Sequence, residues 1–219
     1  MSRLAVFDCD GTLVDSGASI CAAMAQGFAA CGLPAPTTLA TRSIIGLSLP
    51  QAIARLLPEG EPATHALLIE AYKASFFAAR QQGELHEPLY EGIADAIAEL
   101  EARGWLLGVA TGKSDRGLNA ILEAHGLHPR FVTLQTADRH PSKPHPSMLH
   151  QAMADAGAAP ETTAMIGDTS YDMEMAKAAG AAAIGVAWGY HSADLLREAG
   201  ADAVADRASD LVALLEALP

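Results

Sequence analysis

Two aspartates, Asp8 and Asp10, follow a short apolar run near the start of the chain, in the stretch FDCDGTLVDS. An aspartate carboxylate can attack phosphorus to form an aspartyl phosphate, and a second group must then protonate the departing alcohol and later activate water. Because Asp10 lies two residues beyond Asp8, both side chains can share one face of the chain. The alternative interpretation is turn chemistry, since Asp and Gly often end strands.

Two later segments carry groups that suit a phosphate. In VATGKSD, the hydroxyl of Thr111 and the nearby backbone N–H groups, including that of Gly112, can hold a phosphate oxygen at the start of a helix. In PSKPHP, Lys143 lies between two prolines and can offset charge on phosphoryl oxygens. Each has a plainer alternative, because Thr111 can cap the following helix and Lys143 can be a solvated surface residue.

A second pair of acids, Asp168 and Asp172, occurs in IGDTSYD after an apolar run. Acids at a helix start are favoured by the macrodipole, which accounts for either one alone. Together with Asp8 they would form an oxygen site suited to Mg²⁺, which prefers carboxylates, waters and substrate phosphate. The net charge of −12 supports this interpretation, because such a chain repels a phosphorylated ligand unless positive charge is bound locally.

The composition limits the partners that we expect. With 26 acidic and 14 basic side chains, the chain would repel a nucleic-acid backbone, so a nucleic-acid partner is not expected. No apolar run approaches the ~18 residues of a membrane helix, and the first residues lack the regions of a signal peptide. We therefore expect a cytoplasmic protein without membrane contact, and the composition does not indicate an oligomeric state.

Alternating strand and helix patterns predict the scaffold that positions these residues. Apolar runs predict strands over 3–7, 105–111, 131–134, 162–167, 182–188 and 202–205. Periodic apolar faces predict helices over 91–103, 116–125, 146–156, 170–179, 193–199 and 209–218. This order predicts an α/β fold with a doubly wound parallel sheet, in which ligands bind at the carboxyl ends of the strands.

A helical segment interrupts this alternation after the first strand. Helix patterns cover 16–32, 49–57 and 63–82, and no convincing strand pattern occurs among them. We therefore predict an all-helical cap domain over residues 16–85, inserted into an α/β core domain formed by residues 1–15 and 86–219.

The ordered set FDCDGTLVDS, ATGKS, SKPHP and IGDTSYD resembles the four motifs of the haloacid dehalogenase superfamily of phosphatases. The helical insertion after the first motif resembles the type 1 cap of the phosphoglycolate phosphatase-like branch. The resemblance implies a Rossmann-like core and a Mg²⁺-dependent phosphomonoesterase that works through an aspartyl phosphate. The implied substrate is a small phosphorylated metabolite, phosphoglycolate-like or a sugar phosphate.

The resemblance also implies roles for the matching residues. Asp8 is the implied nucleophile, Asp10 the implied general acid and base, and Thr111 and Lys143 the implied phosphate ligands. The implied Mg²⁺ ligands are Asp8, the backbone carbonyl of Asp10, Asp168, and Asp172 either directly or through water. In the cap, Arg42 and Gly46 of TRSIIG resemble the substrate-facing part of such caps, with ordinary cap packing as the alternative.

Related activities are separated by residues present in this chain. Haloacid dehalogenases lack an acid at the position of Asp10, which disfavours dehalogenation. Phosphosugar mutases of the superfamily usually have a Glu-Asp pair where this chain has Gly167 and Asp168. The phosphatase is therefore preferred, and a mutase or a non-catalytic binding protein on the same fold remain as alternatives.

Overall fold

The computed structural model describes residues 2–218 and contains a parallel sheet of six strands. The strands are β1 (Ser2–Phe7), β2 (Trp105–Thr111), β3 (Thr133–Thr136), β4 (Ala158–Gly167), β5 (Ala182–Val186) and β6 (Ala203–Ala205). Their order across the sheet is β3-β2-β1-β4-β5-β6, and every neighbouring pair is parallel. The predicted doubly wound parallel sheet is confirmed.

Helices provide the connections. Between β1 and β2 the chain forms α1 (Gly17–Ala30), α2 (Thr38–Arg42), α3 (Leu49–Leu56), α4 (Pro62–Gln81) and α5 (Ile93–Ala102). The later helices are α6 (Asp115–Ala124), α7 (Ser147–Ala156), α8 (Ser170–Ala179), α9 (Ala193–Glu198) and α10 (Leu211–Glu216). Among residues 2–218, no helix combines the length and the apolar character needed to cross a membrane.

The central strand β1 divides the hydrophobic core into two layers. Ala5 and Phe7 belong to a buried cluster that includes residues of α5, α6 and α10, whereas Leu4 and Val6 belong to a second cluster with α7, α8 and α9. Successive side chains of a strand point to opposite faces, so a sheet covered on both sides needs apolar residues at consecutive positions. This explains why the strands read as continuous apolar runs in the sequence.

Helices α1 to α4 have an apolar cluster of their own. Its buried members from this part of the chain are Met24, Phe28, Ile44, Leu47, Ala52, Ile53 and Leu68. Tyr171 of α8 joins the cluster, and its hydroxyl donates to the carbonyl oxygen of Ser43 at 2.9 Å and accepts from the Arg55 guanidinium at 2.8 Å. A separate core is typical of a separate unit, and the division into residues 16–85 and the remainder stays a prediction.

The observed elements differ from the predicted ones at several ends; β4, for example, begins at Ala158 rather than at residue 162. The third strand was predicted over 131–134 but is Thr133–Thr136, because pairing with β2 begins where Thr133 lies opposite Gly108. Phe131 instead packs edge-on against Phe7, with ring centroids 6.4 Å apart. The short helix α2 was not predicted, and its start is capped by the Thr37 hydroxyl, which accepts from the backbone N–H of Ala40 at 3.1 Å.

Candidate active site

The acids of the first and last motifs meet at the carboxyl edge of the sheet. Strands β1 and β4 are neighbours with Phe7 opposite Ile166, and Asp8 and Asp168 are the residues that follow the two strand ends. The backbone N–H of Asp8 donates to the carbonyl oxygen of Ile166 at 2.9 Å, which continues the ladder by one residue. The strand order reverses between β1 and β4, and such a reversal opens a crevice for ligands in open parallel sheets.

Lys143 lies between two of these acids. Its ammonium is 2.9 Å from Oδ1 of Asp8 and 2.6 Å from Oδ1 of Asp172, and its side chain is fully buried. The alternative of a solvated surface lysine is therefore wrong. Burial by itself lowers the pKa of Lys143, but the carboxylates of Asp172 and Asp8 outweigh it and raise that pKa, so the ammonium remains charged.

Asp172 has two functions in the first turn of α8. Its Oδ2 accepts from the backbone N–H of Thr169 at 3.1 Å and from the Thr169 hydroxyl at 2.7 Å, which satisfies the start of the helix. Its Oδ1 faces the ammonium of Lys143. One carboxylate thus both completes the helix start and contacts Lys143, and a metal-binding role of Asp172 stays a prediction.

Asp168 is held by residues that the motifs did not single out. The hydroxyl of Thr12 donates to its Oδ1 at 3.0 Å, and the backbone N–H of Tyr190 donates to its Oδ2 at 2.9 Å. Two glycines leave room for it: a Cβ at Gly11 would lie 2.2 Å from Asp168 Oδ2, and one at Gly189 would lie 2.2 Å from Asp168 Cβ. Gly11 also has φ +82°, a conformation that favours glycine.

Asp8, Asp168 and Asp172 form a buried cluster whose chemistry fits a metal ion. One oxygen from each lies within 4.8 Å of the others, and Oδ2 of Asp8 is buried with no hydrogen-bond partner among the described residues. Burial raises the pKa of Asp8 to about 7 although the Lys143 ammonium lowers it, and the pKa of Asp168 is raised by burial and by the neighbouring carboxylates. The single positive charge of the Lys143 ammonium does not balance the negative charges of three carboxylates. A divalent cation would supply the missing positive charge.

Asp10 lies apart from this cluster and borders a cavity. Its Oδ1 accepts from the hydroxyl of Ser16 and forms an ion pair with the ammonium of Lys113, which is 3.0 Å away. The cavity has a volume of about 690 Å³ and is lined by residues of α1, α3 and α4 and by the loops that follow β2 and β3. Asp10 therefore borders a space that lies between helices α1, α3 and α4 and the carboxyl edge of the sheet.

Thr111 ends β2 and does not cap the following helix. The cap of α6 is Ser114, whose hydroxyl accepts from the backbone N–H of Gly117 at 3.2 Å. The buried Thr111 hydroxyl instead accepts weakly from the backbone N–H of Lys113 at 3.3 Å. Its hydroxyl proton is therefore free to donate to a ligand oxygen.

The loop after α2 packs directly on Gly112. A Cβ at Gly112 would lie 2.4 Å from the carbonyl oxygen of Leu47 and 2.7 Å from that of Gly46, so only glycine permits this approach. Gly46 lines the cavity, whereas Arg42 is exposed and is not among the residues that line it. The reason is local: Thr41 is the buried residue at the end of α2, which turns its neighbour Arg42 outward. Gly46 thus lines the cavity and Arg42 does not, so a substrate contact of Arg42 stays a prediction.

Several residues of the site were missed by sequence reasoning. Those that contact the predicted acids are Thr12, Ser16, Lys113, Thr169 and Tyr190. The sequence did contain an indication for Lys113, because it is a charged residue within the segment predicted to hold phosphate. The sequence contained no indication for Tyr190, since it contacts Asp168 through its backbone N–H and lies 22 residues beyond it in the chain.

Comparison with known proteins agrees with this geometry. The family model of haloacid dehalogenase-like hydrolases matches residues 5–186. "Probable phosphatase IndB" of Dickeya dadantii is 40% identical, with 100% of this chain and 95% of the relative covered. Phosphoglycolate phosphatase of Vibrio vulnificus is 29% identical, with 96% and 94% covered.

A solved structure shows the same fold. The haloacid dehalogenase-like hydrolase from Streptococcus pneumoniae superposes with a TM-score of 0.84 at 25% identity, covering 97% of this chain and 98% of its own. The family that the four motifs indicate is confirmed by these matches, as is the prediction of a phosphatase-type enzyme. The chain belongs to the haloacid dehalogenase-like hydrolase family.

Proposed function

We propose that the protein is a Mg²⁺-dependent phosphomonoesterase that hydrolyses a small phosphorylated metabolite through an aspartyl phosphate. The observation that carries this proposal is the division of the acids into two environments. Asp8, Asp168 and Asp172 are buried around Lys143, whereas Asp10 borders the cavity. A covalent phosphoryl transfer needs this combination of a charge-balanced nucleophile and a separate proton donor.

Asp8 is the proposed nucleophile. Attack by its carboxylate on phosphorus forms the bond to Asp8 and breaks the bond from phosphorus to the leaving oxygen. Lys143 already contacts this carboxylate and would offset charge on the phosphoryl oxygens as it transfers. Thr111 and the backbone N–H of Gly112, at the end of the neighbouring strand β2, are the remaining proposed phosphate ligands.

Asp10 is the proposed general acid and base. It gives a proton to the leaving oxygen while the aspartyl phosphate forms, and it then removes a proton from the water that attacks that intermediate. One group can serve both steps because the first leaves it in the ionised form that the second requires. Its position at the cavity, rather than in the buried cluster, supports this role.

The proposed metal ligands are Asp8, Asp168 and the backbone carbonyl of Asp10. Asp172, whose oxygens already engage Thr169 and Lys143, contributes directly or through water. Bound Mg²⁺ supplies positive charge to the carboxylates and the phosphoryl oxygens, which a chain of net charge −12 otherwise lacks.

We propose that residues 16–85 act as a cap that separates from the core to admit substrate. Asp8 and Lys143 are at most 2% exposed, so a substrate reaches them only after the covering groups move. The loop at Gly46 and Leu47 is part of that cover, because it lies against Gly112. Closure would exclude bulk water from the acyl phosphate.

The proposed substrate class is a small phosphorylated metabolite, phosphoglycolate-like or a sugar phosphate. The name of the Vibrio vulnificus relative supports the first of these. The cavity, at about 690 Å³, falls within the ~300–1,000 Å³ of typical small-molecule sites.

A panel of phosphorylated metabolites tests the proposal. We expect phosphate release with Mg²⁺ from at least one member, and its loss on addition of EDTA with recovery when Mg²⁺ is restored. Transfer of phosphate between two positions of one sugar, without net release, would identify a mutase. No reaction across the panel in the presence of Mg²⁺ would favour a binding protein.

The glycine beside Asp168 provides a second test with a matched control. Gly11→Ala and Gly32→Ala both place an alanine at positive φ, at +82° and +70°, but only the Cβ at Gly11 meets another group within 4 Å. Both variants should lose about 1 kcal/mol of stability from backbone strain. Gly11→Ala should in addition displace Asp168 and lower phosphate release by about 10-fold or more.

Phosphate release and denaturant unfolding, measured on both variants, separate the two effects. Equal activity of Gly11→Ala and Gly32→Ala would show that the position of Asp168 does not matter to the reaction.

A further inference from the structure

Lys113 is the buried cation that the proposed mechanism leaves unused. It follows Thr111 and Gly112 at the end of β2, and its side chain is only 10% exposed. Its ammonium lies 3.0 Å from Oδ1 of Asp10 and 3.4 Å from Oε1 of Glu87. Burial by itself lowers the pKa of Lys113, but Asp10 and Glu87 outweigh it and raise that pKa, so the ammonium is charged.

Glu87 is in turn held in place. Its other oxygen, Oε2, accepts from the Arg80 guanidinium at 3.2 Å, and its carbonyl oxygen lies 2.8 Å from a ring nitrogen of His125. The Phe76 ring lies beneath both cations, at 5.5 Å from the Lys113 ammonium and 6.0 Å from the Arg80 guanidinium. Arg80, Glu87, Lys113 and Asp10 thus form a row of alternating charge that runs from α4 to the first motif.

The two carboxylate oxygens of Asp10 differ in the contacts that they make. Oδ1 accepts from the Ser16 hydroxyl and pairs with the Lys113 ammonium, whereas neither a hydrogen bond nor an ion pair to Oδ2 occurs among residues 2–218. A carboxylate fixed through one oxygen can rotate little about its χ2 angle, because both donors would be lost together. Oδ2 is then the oxygen left to exchange a proton with a ligand in the cavity.

We propose that Lys113 is a positioning residue for Asp10, which holds Oδ1 so that Oδ2 faces the leaving group, and that Glu87 holds Lys113 for this purpose. This inference rests on the proposed acid and base role of Asp10. Lys113 also lines the cavity, and the role proposed for it is contact with Asp10 rather than with the phosphoryl group or the nucleophile. Its contribution is the geometry of proton transfer, which falls steeply when donor and acceptor are misplaced.

Two substrates whose leaving groups differ in their need for a proton distinguish this positioning role from a merely structural one. An alkyl phosphate departs as an alkoxide unless it is protonated, whereas p-nitrophenolate departs without a proton. Single-turnover measurements with Mg²⁺ that follow the released alcohol or phenol, rather than phosphate, report the step that breaks the ester bond. We expect Lys113→Met to slow this step by about 10- to 100-fold on an alkyl phosphate, part of the ~10²–10⁴ that general acid catalysis supplies, and by less than about 3-fold on p-nitrophenyl phosphate.

Three companion variants complete the experiment. Asp10→Asn should show the same selectivity for the alkyl phosphate with a larger loss, and Lys113→Arg, which keeps the charge, should recover part of the rate. Lys177→Met removes an exposed lysine that pairs with Asp202, and should leave both rates unchanged. If Lys113→Met fails to fold in denaturant unfolding, Glu87→Gln replaces it, with a smaller loss in the same direction.

Each other outcome overturns the inference in a recognisable way. Equal losses on the two substrates would show that Lys113 supports the fold or binds phosphate. A higher KM with unchanged single-turnover rate would make it a substrate-binding residue. If Asp10→Asn is selective for the alkyl phosphate and Lys113→Met is not, only the inference fails. If Asp10→Asn is itself unselective, the proposed role of Asp10 fails with it.

Discussion

Asp8→Asn is expected to abolish turnover while the protein remains folded. The amide cannot form the acyl phosphate, and removal of the nucleophile from a covalent mechanism should cost about 10⁴-fold or more in kcat. The same change also removes the cost of burying an ionised carboxylate. That cost is visible in the pKa of Asp8, which burial raises to about 7. The metal-free variant should therefore unfold at the same denaturant concentration as the parent or at a higher one.

Metal binding gives this variant a readout apart from activity. Mg²⁺ should raise the unfolding midpoint of the parent protein, since a ligand that binds only the folded state stabilises it. The rise should be smaller for Asp8→Asn, which has lost one anionic oxygen of the cluster. Phosphate release and thermal unfolding with and without Mg²⁺ measure both effects.

Asp15→Asn is the matched control for Asp8→Asn. Asp15 belongs to the same acidic segment but is exposed, and its backbone N–H donates to the carbonyl oxygen of Pro88 at 2.9 Å, a contact that asparagine keeps. We expect its activity to equal that of the parent. Substantial Mg²⁺-dependent turnover by Asp8→Asn, or a loss in Asp15→Asn of the same size, would contradict the assignment of the nucleophile.

Lys143→Met should damage both stability and catalysis. It removes the only described cation in contact with Asp8 and Asp172, and breaking a buried ion pair at one partner costs about 3–5 kcal/mol because the other charge stays buried. The phosphoryl oxygens would also lose their fixed positive charge, so kcat should fall and phosphate should bind more weakly. Denaturant unfolding and inhibition by inorganic phosphate measure the two losses.

A double variant distinguishes the electrostatic cause from a packing defect. In Lys143→Met combined with Asp8→Asn, one of the uncompensated carboxylates is neutral, so part of the lost stability should return. Lys177→Met is again the control, since its pair with Asp202 is about two-fifths exposed and such surface pairs contribute little. Losses that simply add in the double variant would mean that Lys143 is needed for packing rather than for charge.

The scaffold, and the edge of the sheet at which the acids gather, could be predicted from the sequence. Apolar runs ending in Asp8, Thr111 and Asp168 predicted parallel strands with polar residues at their carboxyl ends, and those strands are neighbours in the sheet. These strands and their polar ends could be predicted because residues next to them in the sequence mark where a strand ends and a helix begins. The order of the four motifs was likewise enough to indicate the family.

The contacts that hold each acid could not be predicted from the sequence and became visible in the folded chain. Thr12 and Tyr190 reach Asp168 from opposite ends of the chain, and Lys113 reaches Asp10. Contacts of this kind depend on how loops pack across the edge of the sheet, which no local periodicity encodes. The same reason places Gly46 on the cavity and Arg42 on the surface, although both lie in one short segment.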